Sequence, residues 1–188
     1  MRVAFIGMGS NLPSPAGDPE ATLVDAAESL KSLGIVVGRS SLYSTEPVGL
    51  VDQPRFLNAV VALETELEPR ALLQGLLRIE KEFGRDRSAG IPNGPRTLDL
   101  DMLVYGDQRV SEPGLEIPHP RMEQRDFVVI PLIELASNDP TARTPKVVRD
   151  LIRTSLKRSP GQSDAVVPFQ SAVWPTRPLR NAGAFAGS

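Results

Sequence analysis

The chain has no cysteine, which removes disulfides, thiolate catalysis and zinc–thiolate sites from consideration. It has one histidine, His119, so a histidine-rich metal centre is excluded and no Ser/His/Asp triad can be argued from spacing. No apolar run approaches the roughly 20 residues of a membrane span. Residues 3–6, directly behind Met1 and Arg2, are too few for a secretory signal. A cytoplasmic protein with no membrane partner is therefore expected. The net charge of −2 argues against a general nucleic-acid binder. Neither Gly-x-x-x-x-Gly-Lys-Ser/Thr nor Gly-x-Gly-x-x-Gly occurs, so any bound triphosphate would be held by side chains and metal. Lysine is scarce, for 17 of the 21 basic residues are arginine. Six of these (Arg85, Arg87, Arg96, Arg109, Arg121 and Arg125) fall in one stretch without a lysine, and arginine is the better bidentate phosphate ligand.

The 188 residues, 40% of them apolar, suffice for one well-packed domain. Residues 2–8 read as a strand. Asp18-Pro19-Glu20 is a helix start, followed by Leu23, Ala26, Ala27, Leu30 and Leu33 at helical spacing and a stop at Gly34. Residues 35–45 read as a second strand and 57–66 as a third, with Leu57, Ala59, Val61 and Leu63 on one face. Glu68-Pro69 opens a second helix that stops at Gly84. Residues 99–106 form the next strand, a short segment surrounds Val110, and helices are expected over 121–136, broken or kinked near Pro131, and over 145–156. The order β-α-β-β-α-β through residue 106 is the split βαβ, ferredoxin-like α+β arrangement. Its antiparallel sheet would carry helices on one face, with the C-terminal helices covering the other to make three layers. Two loops, over 46–56 and 85–95, are long for so small a unit and are expected to overhang the same part of the sheet. Residues 1–158 make the domain. Residues 159–188, with four prolines and no sustained period, are expected to be a loosely held tail. Trp174 in that tail is a candidate to dock on the body, at a place the sequence does not specify.

The chemistry concentrates in Gly94-Pro95-Arg96-Thr97-Leu98-Asp99-Leu100-Asp101-Met102. On a strand, residues two apart share a face, so Asp99 and Asp101 lie side by side while Leu100 and Met102 turn away. Adjacent carboxylates repel unless a cation lies between them. Mg²⁺, which takes oxygen ligands and borrows others from phosphates, is the natural candidate. The alternative is two exposed acids on a strand, although aspartate is depleted in strands. Arg85, Arg87 and Arg96 bracket a Gly/Pro-rich loop and read as phosphate clamps or as ordinary solvated charges. His119, between Pro118 and Pro120, suits a structural turn or a ligand-contacting loop. Glu80 falls inside the apolar stripe of the second helix, and a buried carboxylate needs a partner, for which a nearby arginine is expected. Phe56 and Phe127 are core aromatics by default. Asn58 caps a turn or reads the edge of a heterocycle.

That block, together with Gly9-Ser10-Asn11-Leu12, Gln53-Pro54-Arg55-Phe56-Leu57-Asn58 and Pro118-His119, resembles 6-hydroxymethyl-7,8-dihydropterin pyrophosphokinase of folate biosynthesis over residues 1–157. The resemblance implies a ferredoxin-like fold and in-line transfer of pyrophosphate from ATP to the pterin hydroxymethyl oxygen, releasing AMP. Two Mg²⁺ ions are implied, with Asp99 and Asp101 as their ligands. Arg85 and Arg96 match catalytic loop and phosphate-binding arginines. Glu80, Arg87, Met102, His119 and Arg125 match further ATP contacts. Phe56 and Phe127 match the pair that sandwiches the pterin, and Thr45, Val48 and Asn58 match pocket residues at its edge. A monomer acting on ATP and a pterin is expected. Three positions depart from the family pattern: Asn93 where a lid tryptophan is common, Phe56 where a tyrosine is common, and Pro120 where an aromatic is sometimes found. Another Mg²⁺-dependent nucleotidyl- or phosphotransferase, or a non-catalytic ligand-binding module on the same fold, stands as the alternative.

Overall fold

The computed structural model of the chain describes residues 1–88, 91–137, 144–155 and 166–176. Strand β1 (Arg2–Ser10) is buried along almost its whole length and sits between β4 (Phe56–Thr65) and β5 (Asp99–Tyr105), antiparallel to both. On the far side of β4 lie β2 (Ile35–Arg39) and β3 (Leu42–Thr45). The sheet order is β5-β1-β4-β3-β8, with β2 also on β4, where β8 is Val166–Phe169. A separate hairpin is made by β6 (Val110–Glu112) and β7 (Leu115–Ile117). The result is a mixed α/β fold with one principal antiparallel sheet and, among the described residues, four α-helices.

Helices cover both faces of the sheet. Helix α1 (Pro19–Ser29) starts where expected, with the Asp18 carboxylate accepting from the Ala21 N–H at 2.9 Å and Pro19 in the first turn. Helix α2 (Pro69–Glu82) again opens on proline and stops before Gly84, whose φ of +82° suits a glycine. Their buried leucines and Ile79 pack on Ile6, Met8, Ala59, Val61, Leu63, Leu100 and Met102. The opposite faces of the same strands, with Phe5, Val60, Ala62 and Leu103, pack on Val128, Leu132 and Leu135 of α3 (Asp126–Ser137) and Val148 and Leu151 of α4 (Lys146–Ser155). The period of two along each strand therefore feeds two cores at once.

Four expectations need correction. First, α1 ends at Ser29 and a 3₁₀ turn carries the chain to Ser32. Gly34 acts by close approach, since a Cβ there would lie 2.3 Å from the Glu64 carbonyl oxygen. Second, α3 begins at Asp126, after a 3₁₀ turn over Met122–Gln124, and runs on past Pro131 without a break. Third, residues 35–45 are two strands. Between the Arg39–Val61 and Tyr43–Asn58 pairs this chain spends one residue more than β4 does. The break is held by side chains. Ser40 Oγ accepts from the Val60 N–H at 2.9 Å, and the Ser41 N–H donates to both oxygens of Glu134 on α3, at 3.1 and 3.0 Å.

The fourth correction concerns the C-terminus. Residues 166–169 add an edge strand to β3, and Trp174 is buried, its indole N–H donating to the Ser40 carbonyl at 2.8 Å. Within the expected loose tail, residues 166–169 thus belong to the sheet and Trp174 is packed against it. The rest of that expectation, over 159–165 and 177–188, lies outside the described residues.

Candidate active site

The site is built where β1 ends and β4 and β5 begin. Across from Asp99 and Asp101 on β1 stand Gly9 and Gly7, and across from Gly9 on β4 stands Asn58. The aspartates point away from the core that takes Leu100 and Met102, as the strand period requires. Glycines opposite them keep the floor low. A Cβ on Gly9 would lie 2.8 Å from Asn58 Oδ1 and would push that side chain out of place. Asn58 is held by its own amide, which donates to Thr45 Oγ1 at 2.7 Å, both residues being buried.

Arginines crowd the carboxylates without saturating them. Arg96 Nε lies 3.2 Å from Asp99 Oδ2 but is misaligned for a hydrogen bond. Arg85 and Arg87 approach the other oxygen of Asp99 only to 3.9 and 4.0 Å, and Arg125 approaches Asp101 to 4.0 Å. The buried atoms Arg85 Nε, Arg96 Nε and Thr97 Oγ1 have no hydrogen-bond partner. Such orphans are rare in native folds and costly where nothing arrives to meet them. Burial pushes the Arg85 and Arg125 guanidiniums below their ordinary range. Burial, then the neighbouring Asp99, holds the Asp101 carboxyl above its ordinary range, with His119, Arg125 and Arg87 pulling it back. This is a pocket of mobile-length cations facing two close acids, short of partners on both sides.

Glu80 has the arginine partner that its position in the apolar stripe called for. Arg87 grips it bidentately, at 2.7 Å to each oxygen, and the Leu100 N–H donates to Oε1 at 2.8 Å. Glu80 therefore fixes the start of β5 to α2. Burial pushes its pKa up, and the Arg87 and Leu100 bonds oppose that push.

Two cavities flank the aspartates. One, of about 230 Å³, is lined by Thr45, Val48, Phe56, Asn58, Arg96 and Phe127, with Glu46, Asn93, Arg121, Gln124 and Arg125 completing it. Arg96 lies over the Phe56 ring at 4.9 Å and Arg125 over Phe127 at 5.5 Å. Val48 stands at the exposed lip. The other cleft, about 330 Å³, runs past Arg87, Asp101, Met102 and His119 to the β6–β7 hairpin. His119 is tied to the sheet through its N–H, which donates to the Leu103 carbonyl at 2.8 Å, while its Nδ1 accepts from the Arg121 N–H at 3.2 Å. Its pKa is lowered chiefly by burial. Met102 itself is almost wholly within the core and only borders this cleft.

The structure thus brings the candidate catalytic, nucleotide and pocket residues together around Asp99 and Asp101, but of the six clustered arginines Arg109 lies apart, in a cleft against α4. Arg121 came only as one member of the arginine-rich stretch, and Gln124 and Glu46 are additional lining residues with no advance signal, since nothing in their local pattern distinguishes them. A more voluminous cleft, about 650 Å³, lies elsewhere, between residues 106–109 and α4. There the Asp107 carboxylate already accepts from the Lys146 N–H at 2.6 Å, so the start of α4 is satisfied internally. Volume is the weaker guide here, and chemistry points to the aspartate end of the sheet.

Residues 5–137 match the model of the 7,8-dihydro-6-hydroxymethylpterin-pyrophosphokinase (HPPK) family. The chain belongs to that family. It is accordingly an enzyme of the diphosphotransferase class. It is 42% identical over 153 residues to the 2-amino-4-hydroxy-6-hydroxymethyldihydropteridine pyrophosphokinase of Haemophilus influenzae, covering 81% of this chain and 92% of that one. With the Pseudomonas aeruginosa enzyme of the same name it shares 46% over 132 residues, 70% of this chain and 79% of the relative. Among solved structures, a Plasmodium falciparum HPPK-DHPS crystallised with pterin and p-hydroxybenzoate superposes with a TM-score of 0.61 at 15% identity. That match covers 87% of this chain and 46% of the Plasmodium one, so the chain spans less than half of the longer protein. The likeness there is one of fold. No helix among the described residues is long and apolar enough to cross a membrane.

Proposed function

We propose that the enzyme transfers pyrophosphate from ATP to the hydroxymethyl oxygen of 6-hydroxymethyl-7,8-dihydropterin, releasing AMP, in a Mg²⁺-dependent step of folate biosynthesis. The observation that carries this reading is the under-satisfied cluster around Asp99 and Asp101, placed between an aromatic-walled cavity and a second cleft. No group of three or more acidic or histidine ligands occurs among the described residues. Two carboxylates suit Mg²⁺, which is commonly held by one or two acids and completes its shell from substrate phosphates and water. Asp99 and Asp101 would hold two such ions with ATP, and the ions would supply charge neutralisation on the transferring phosphates.

The rest of the reading rests on this chain's own side chains. Arg85, Arg96 and Arg87 face the place where phosphate charge would gather, and the orphaned Nε atoms of the first two are donors awaiting an acceptor. A planar heterocycle fits the cavity whose walls include Phe56 and Phe127, and the Asn58 amide, oriented by Thr45, reads its edge. Arg87, Met102 and His119 border the nucleotide side, and Arg125, which lines the first cavity, reaches toward it at Asp101. The hydroxyl of a pterin seated in the first cavity would then meet a β-phosphorus presented from the second, and positioning of this kind supplies much of the acceleration in phosphoryl transfer. The sheet order, with β2 and β3 together as one strand of the split βαβ, supports the ferredoxin-like assignment.

Incubation with ATP and the hydroxymethyl-dihydropterin tests the proposal. AMP release that requires both the pterin and Mg²⁺ is expected. ADP or inorganic pyrophosphate as the product would overturn it.

A further inference from the structure

Arg96 is held in a way that its role as a phosphate donor alone does not require. Asn11, 2% exposed at the end of β1, takes hold of the Arg96 backbone from both sides. Its Oδ1 accepts from the Arg96 N–H at 2.8 Å, and the N–H groups of Asn11 and Leu12 both donate to the Arg96 carbonyl at 3.1 Å. The Asn11 amide spends both of its donors on the other long loop, one on Gln53 Oε1 and one on the Pro54 carbonyl, each at 3.0 Å. Gln53 passes the connection on. Its Nε2 donates to the Leu50 carbonyl at 2.6 Å and to the Asn93 carbonyl at 2.8 Å, back in the loop that carries Arg96.

A side chain that merely ended β1 would bond locally, as short amides at turns do. Asn11 instead reaches residues 42, 43 and 85 positions away. The closed circuit Asn11–Gln53–Asn93–Arg96 joins the turn after β1, the loop leading to Phe56 and the loop leading to Asp99. Arg96 then projects from the clamped point over Phe56 and toward Asp99. We infer that Asn11 and Gln53 are positioning residues that fix Arg96 in register with both the aromatic wall and the carboxylate pair. Seating the heterocycle and aiming the phosphate donor thereby become one event. The inference rests on the function proposed above for the same site.

A double-mutant cycle tests it, with single-turnover AMP release and Arg96 amide hydrogen exchange as readouts. Gln53→Ala keeps every side chain that faces the substrates and opens the circuit. We expect it to slow turnover about 10-fold, as small misplacements of a positioned group do. In an Arg96→Ala background the same change should cost less than about 2-fold, because there is no longer a guanidinium to misplace. Exchange of the Arg96 amide should quicken roughly 10-fold in Gln53→Ala. Losses that multiply in the double mutant, or an unaltered rate in Gln53→Ala, would overturn the inference. So would an unchanged Arg96 exchange rate, whatever the activity. If the unmutated enzyme releases no AMP at all, the proposed function fails, and the exchange measurement still decides whether the circuit holds Arg96.

Discussion

Two corners of this sheet each set an arginine over an aromatic ring, yet they differ in what is left over. At the outer edge Arg39 lies over Trp174 at 5.4 Å and reaches Glu28 at 2.7 Å. The indole N–H meets the Ser40 carbonyl, and Glu134 takes the Ser41 N–H, the Ser41 hydroxyl and the Tyr43 hydroxyl. Polar groups there close on one another. At the inner corner Arg96 lies over Phe56 and Arg125 over Phe127, but the ion pairs to Asp99 and Asp101 are loose and buried donors stay unmet. A fold that can satisfy Trp174 and Glu134 so fully is capable of satisfying Arg85 as well. That it does not is the mark of a place kept open for a ligand; in the proposed function, phosphates and metal would complete the bonding.

Breaking the inner corner should therefore cost activity and little stability. Asp99→Ala or Asp101→Ala should abolish measurable turnover, because each removes a proposed metal ligand. Asp101→Ala also relieves a like-charge contact, so its thermal midpoint should hold or rise, whereas Asp99→Ala takes the counter-charge from Arg96 and should lower it a little; a loss of melting temperature that matches the loss of activity would instead make the pair structural. Arg96→Ala should lower the rate on the order of 100-fold, as removal of a transition-state donor does, with unfolding in urea hardly altered. Chelation sharpens the same point. Excess EDTA should stop turnover and added Mg²⁺ restore it. Scanning calorimetry should show that Mg²⁺ without nucleotide barely moves the melting temperature, since two carboxylates alone make an incomplete site.

The outer corner should answer in the opposite sense. Trp174→Ala removes a buried indole and leaves the Ser40 carbonyl unmet, and should lower stability by about 3 kcal/mol. Turnover measured well below the melting temperature should change less than about 2-fold. A large loss of activity in Trp174→Ala at a temperature where circular dichroism shows it folded would erase the distinction between the corners.

Local rules carried the site far. Asp99 and Asp101 share a face because strand side chains alternate, and that alternation is set by the backbone whatever packs around it. The apolar spacing of α2 made Glu80 conspicuous and demanded a partner, and arginine was the natural choice. Which arginine was another matter. Arg87, seven residues on, was chosen over Arg85 and Arg96 by the path of a loop after Gly84, which no pattern of residue types encodes.

The outer edge was less legible. Nothing in residues 35–45 announces a broken strand, because the groups that hold the break, Val60, Glu134 and Trp174, come from three distant elements. Residues 166–169 read as loose for the same reason. A short edge strand has little period of its own and exists only once β3 offers it a ladder.

By itself the sequence determined the helix starts at Asp18 and Glu68, the faces of the strands, the absence of thiol and histidine-cluster chemistry, and the carboxylate pair with its arginine-rich surroundings. These depend on neighbours a few residues away, where backbone geometry leaves few choices. Tertiary structure decided which arginine closes on Glu80, that Asn11 and Gln53 tie the two long loops together, and that Trp174 plugs the sheet's edge. Those contacts join residues from 7 to 134 positions apart. Their partners are selected by packing of the whole chain, and most lie too far along it for any local pattern to reach.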